Sequence, residues 1–424
     1  QATRAENARI KENVWRGAVQ LMRGLALRFS ADSEVRWGLT EDHPDFARLM
    51  TAEFSLFNKA EEDAGSAALA AHLTTDYTRY DLKNYPAANT PLAITPAGRI
   101  TEYALHTGGW TREVATLPGS PEVFVVEDDA DRLGRLNPTT GRVRWRHVEG
   151  TGKGLQGPHT INPDRDGKVW VSLEESYTLG RFDPRTGQWR IYDGFGQFAI
   201  AHDTCVDPHR YVTPDTQGRI WITLIGNNHL ASLDPQGGAI QQFPMPFKQG
   251  EAAFHAALYS CVITADRRQV WFTQLNGIVG GFDTETGQLI ERLEFPLGTI
   301  PHRMAIDERD VIYVALSGDG QVLAYDTRAR QELARHNLPD RNASPYAVTW
   351  DTRRQVAWVT GTNTDVIYRL EPKSGAVTQI PLPRARAFLR IIDLDRETGD
   401  LWTSYAHLPT GRGPNYAVRI EVGD

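Results

Sequence analysis

Five of the twelve histidines, His159, His202, His209, His255 and His302, fall at or just before short apolar runs in four consecutive stretches of the chain. Imidazole is the commonest side chain for binding Zn, Fe or Cu, and three or four that converge can hold one ion. Neither an HxH nor an HExxH spacing occurs, so any convergence must come from the fold. Glu174 and Glu175 follow the strand after His159, and Glu127 stands in a comparable place one stretch earlier. A carboxylate at a strand end can hold a cation or accept a proton, and a merely solvated one reads the same. The metal candidates are therefore His159, His202, His255, His302 and Glu174. Arg112, Glu113, Tyr259 (beside Ser260) and Arg390 begin further runs of the same kind and are expected to line the substrate.

These residues share a position in a repeat. The turn text reads NPTTG at Asn137, DPRTG at Asp183, DPQGG at Asp234, DTETG at Asp283 and EPKSG at Glu371, with a degraded copy, DTRAR, at Asp326. A closing Gly supplies the positive φ that such a turn requires. A strand aromatic precedes each of these six turns, Phe124, Trp170, Trp221, Trp271, Tyr313 and Trp358, and a seventh, Trp402, follows the last of them. Spacings of about 40–50 residues, with about four strands per unit, define propeller blades. Seven aromatics predict an all-β, seven-bladed propeller over residues 95–424. TPAGRITEYAL at Thr95 matches the last part of a blade, while the chain ends on a third strand, Tyr416–Val422. Residues 99–105 are thus expected to complete the C-terminal blade and close the ring, which removes the free sheet edges an open solenoid would keep. Aligned on the aromatics, the inner strands are expected to start near Glu113 or Arg112, His159, His209–Arg210, Tyr259–Ser260, His302, Tyr346 and Arg390. Polar convergence there suits a site, and a water-filled channel would share it.

Residues 1–94 read as a helical extension and connector, with apolar positions at helical steps from Ile10 to Leu25 and again from Phe46 to Phe57. The composition is ordinary for a globular chain: 424 residues, 40% hydrophobic and 23% charged. A net charge of -7 without a Lys/Arg run argues against nucleic acid as a partner. No apolar run approaches a membrane span. The chain starts at Gln1; few Lys and many Trp suit a secreted or periplasmic protein. Cys205 and Cys261 lie at the inner strands of adjacent blades and are read equally well as a disulfide or as two buried thiols.

The blade text GPHTINPDRDGKVWVSLEE at Gly157, VFVVEDDADRLGRLNPTTG at Val123 and GRITEYAL at Gly98 resembles the virginiamycin B lyase (streptogramin lyase) family of seven-bladed propellers. The resemblance covers about Thr95 to Val422. It implies a C–O lyase that opens a cyclic ester by elimination, assisted by Mg, with histidine base chemistry on a small or medium organic substrate. By position, Asp207-Pro208-His209 resembles the family's Glu-Pro-His motif, and Pro158-His159 its partner Pro-His. Leu224 stands where the family's metal-binding Glu is expected, and an aliphatic chain cannot hold Mg. That departure leaves three readings: an altered lyase in which His209 or His159 removes a proton next to a carbonyl, Arg210 or a metal steadies the enolate and Tyr346 protonates the leaving oxygen; a His-bound Fe, Cu or Zn enzyme of oxidative or hydrolytic chemistry; and a non-catalytic ligand-binding propeller in which Arg210 and Arg390 hold an anion.

Overall fold

The computed structural model describes residues 97–423 apart from 106–110, 129, 149–155, 197–198, 248–255, 297–298, 385–386 and 406–414. The expected N-terminal helices and His255 lie outside the described residues. Within them, seven four-stranded antiparallel sheets follow one another around a ring. Six are consecutive meanders, from 111–147 through 345–381. The seventh takes its outer strand, Ala97–Ala104, from the front of the chain, where it pairs with Tyr416–Val422 from Ile100↔Ile420 to Ala104↔Tyr416.

Local chemistry explains why each unit folds alike. The turn Asp183–Gly187 is held by Asp183 Oδ1, which accepts the amides of Arg185 and Thr186, and Gly187 closes it at φ 77°. The strand aromatics are buried in every blade. Most are also tethered. Asp164 Oδ1 accepts the Asp166 and Lys168 amides, and its Oδ2 accepts Trp170 Nε1 at 3.0 Å. Asp215 with Trp221 and Asp351 with Trp358 repeat the arrangement. One carboxylate thus fixes a hairpin turn and orients the ring that packs against the neighbouring blade. Trp170, for example, shares a core cluster with Ala201, Ile222 and Leu224 of the next blade.

Cys205 and Cys261 are disulfide-bonded. They tie two neighbouring inner strands below the site, beside the bridge Val206↔Val262. Closing a loop of this sequence separation, 56 residues, stabilises by about 4 kcal/mol in the chain-entropy account.

Candidate functional site

Register identifies the seven residues that open onto the axis. At the start of each inner strand one residue pairs with the end of the aromatic strand: Thr111↔Glu127, Pro158↔Leu173, Ala201↔Leu224, Leu258↔Gln274, Pro301↔Leu316, Pro345↔Gly361 and Leu389↔Tyr405. The residue that follows each is Arg112, His159, His202, Tyr259, His302, Tyr346 or Arg390. In the first six blades a register shift falls there. Such an irregularity re-aims a side chain, which is why bulges gather at sites.

This ring corrects one alignment made on the aromatics. In the third blade the inner strand is Ala201–Thr204, so His202 takes the ring position and not His209 or Arg210. Residues 205–219 intervene before the aromatic strand, and this excursion displaced the alignment. His209 lies beyond the far end of strand Pro158–Pro163, roughly one strand length, ~17–20 Å, from His159. It borders a cleft of about 740 Å³ formed with Asp164, Arg181 and Pro214, remote from the ring. Arg210 crosses the channel at that far end and donates to Asp393 Oδ1 and the Ile392 carbonyl, each at 2.9 Å. The register also makes Asp128, not Glu127, and Ile225, not Leu224, the counterparts of Glu174.

The ring residues touch one another across the axis. His159 and His202 have ring centroids 4.9 Å apart. Glu174 Oε1 lies 3.4 Å from His159 Nδ1 and 3.9 Å from His202 Nε2, and this oxygen is buried without a hydrogen-bond partner among the described residues. Among the described residues these three form the group whose ligand atoms could share a metal ion. Tyr259 and Tyr346 join through their hydroxyls. Arg390 Nη2 donates to Tyr346 Oη at 2.9 Å and to His159 Nε2 at 3.1 Å. His302 stacks on Tyr346, with centroids 4.5 Å apart.

Acceptors fix two of the histidine tautomers. His202 Nδ1 lies 2.7 Å from the Tyr259 carbonyl oxygen, so Nδ1 carries the proton and Nε2 presents its lone pair toward Glu174. Ser317 donates its hydroxyl proton to the Pro345 carbonyl, so its oxygen accepts from His302 Nδ1, which leaves His302 Nε2 as the basic nitrogen. His159 carries the same tautomer: Arg390 donates to Nε2, so Nδ1 bears the proton and faces Thr160 Oγ1 at 3.2 Å.

Below the ring, the next residue of each inner strand builds a second layer. Arg303 pairs with Asp203 at 3.1 Å and with Glu113, and it donates to Thr160 Oγ1. Arg112 pairs with Asp128. This ionic floor, with Arg210 beneath it, fills the channel. Arg303 and Asp203 are the parts missed in the sequence, although each directly follows a flagged histidine.

The electrostatics favour neutral imidazoles. Burial first, then Arg112 and Arg390, holds His159 well below the usual imidazole value. Burial and Arg303 do the same to His202. Burial, aided by Arg390 and Arg303, brings His302 down to about 3. Burial raises Glu174 to about 8. Burial and the Tyr346 hydroxyl keep Tyr259 a phenol by raising it far above its ordinary value. Neutral imidazoles beside a carboxylate whose charge is disfavoured are what an incoming cation would stabilise.

No protein-family model matches this chain, and no curated protein matches it. Solved structures do match its fold, which is that of a seven-bladed propeller. A streptogramin B lyase structure superposes with a TM-score of 0.64 at 16% identity, over 77% of this chain and 98% of that one. Virginiamycin B lyase from Staphylococcus aureus, as a selenomethionine form and as a catalytically inactive histidine-to-alanine variant with quinupristin, gives 0.62 at 17%, over 77% and 99%.

Proposed function

We propose that this chain is a streptogramin-lyase-like propeller enzyme, a metal-assisted C–O lyase acting on a small or medium organic ester. The observation that carries the reading is the convergence of His159, Glu174 and His202 at the rim of an axis also lined by His302, Tyr259 and Tyr346. His159, Glu174 and His202 would hold the metal. Two imidazoles and one carboxylate suit a transition metal better than Mg, which prefers all-oxygen surroundings. Bound there, it would supply Lewis-acid polarisation of the ester carbonyl.

The chain's own groups supply the proton transfers. His302 Nε2, left free while Ser317 holds the opposite nitrogen, takes the proton next to the carbonyl once a ligand's negative charge offsets Arg390 and Arg303, which with burial hold its basicity low. The C–H electron pair becomes the new C=C bond, and the C–O bond breaks. Tyr346 protonates the departing oxygen and is placed for this by Arg390 and Tyr259. The same donor set is the one non-haem iron uses, which keeps oxidative chemistry as the second reading. The Cys205–Cys261 bond supports a secreted or periplasmic location. No helix among the described residues is long and apolar enough to cross a membrane.

The test is product mass. Elimination in a cyclic ester opens the ring without adding water, so the product in ¹⁸O-water has the substrate's own mass and no label. A labelled, hydrated product would replace the lyase reading with hydrolysis, and an oxygenated one with oxidation.

A further inference from the structure

We infer that Arg390 is a carboxylate clamp, and that the ligand of this axis carries a carboxylate group. The inference deepens the proposed function and rests on its reading of the axis as a ligand site. Several arginines are buried, or nearly so, along the channel, and Arg396, beside Arg210 at the far end, donates to the His209 and Trp350 carbonyls. Arg112 is paired with Asp128, Arg303 with Glu113 and Asp203, and Arg210 with Asp393. Arg390, only 6% exposed, has no carboxylate within ion-pair distance among the described residues. Its acceptors are the neutral Tyr346 hydroxyl and His159 Nε2. Its Nε is buried and has no acceptor among the described residues.

A buried guanidinium without an anion is a costly arrangement, and the planar fork of donors matches a carboxylate. A phosphate dianion carries a second charge for a second guanidinium, and the other channel arginines are already engaged. A singly charged carboxylate balances Arg390 alone.

The contact with His159 gives the clamp a consequence. While Arg390 donates to Nε2, the other nitrogen of a neutral ring must carry the proton. His159 then offers no lone pair toward Glu174. A carboxylate that takes up Arg390 releases Nε2 to carry the proton and frees Nδ1 to face Glu174 and His202. Carboxylate and metal should therefore each strengthen the binding of the other, by the same factor.

Isothermal titration of the metal-free chain with acetate, and with acetamide as a neutral shape match, tests the clamp directly. Acetate is expected to saturate one site and acetamide to give no heat. Arg390→Gln should weaken acetate at least tenfold, and Arg390→Lys should fall between. Titration with Mn²⁺ should show tighter binding when acetate is present, and Arg390→Gln should abolish that gain. Equal binding of acetate and acetamide, or acetate binding unchanged in Arg390→Gln, overturns the inference. If Arg390→Gln fails to fold by circular dichroism, the comparison of acetate with acetamide on the unaltered chain still decides. Acetate binding without Mn²⁺ uptake would keep the clamp and remove the metal-centred function; Mn²⁺ uptake without acetate binding would do the reverse.

Discussion

At the scale of single residues, charge is controlled by which partner each group meets. The paired carboxylates show this away from the axis. Burial acts to raise Asp351, but Arg354, Trp358 and the backbone amides together hold it below its ordinary value. Its stabilisation is therefore complete above the unfolded carboxylate value, near 4, and is lost as pH falls through the lower folded value. Asp351→Asn is expected to destabilise the fold by about 2 kcal/mol at pH 7, with the deficit shrinking below about pH 4. Urea unfolding of both proteins at pH 7 and pH 3 measures it, and a deficit that grows in acid would contradict the assignment. At this scale the sequence revealed residue types well and partners poorly. His159, His302, Tyr346 and Arg390 stood out as polar starts to apolar strands. Nothing in the text announced that Arg303 would meet Glu113, which lies 190 positions away, because that contact exists only once the ring is closed.

At the scale of the element, the strand starts decide the chemistry. Gly157 sits just before the Pro158–Pro163 strand with φ 61°, and a Cβ there would lie 2.4 Å from Glu175 Cγ. Its carbonyl accepts the Glu174 amide at 3.0 Å, and its own amide donates to Asp131 Oδ1 at 2.8 Å. The glycine thus fixes the spacing of Glu174 from His159. Gly157→Ala must strain the backbone and push residues 174 and 175 away. The expected outcome is at least tenfold weaker metal binding with a stability loss of about 1–3 kcal/mol. Competition with a chromophoric chelator reads the first, and unchanged affinity would show that Gly157 does not position the site. The third blade shows where pattern reading fails at this scale. Counting back from Trp221 landed on His209 and Arg210, since a 205–219 excursion has no hydrophobic period to betray it.

For the whole molecule, closure makes the axis a site. Each blade contributes one residue to the ring, and contacts such as Arg390 with His159 join blades far apart in sequence. The repeat made this architecture readable in advance, because an aromatic and a turn carboxylate recur in nearly every unit. A chain that begins at Thr111 would lose the outer strand of the last blade and expose the edge of Tyr416–Val422, an apolar template for pairing with other chains. It is expected to appear in aggregates by size-exclusion chromatography, whereas the full chain elutes as a discrete species. A discrete, equally stable truncated chain would show that the closing pair is dispensable.

The most direct test of the central claim is metal content by plasma mass spectrometry, on untagged protein loaded with equimolar Mn, Fe and Zn and then desalted. Close to one transition-metal ion per chain is expected, lost in His159→Ala, Glu174→Gln and His202→Ala and retained in His209→Ala, whose ring lies at the other end of the channel. Metal that survives in the first three variants, or no metal in the parent chain, would contradict a metal site at His159, Glu174 and His202.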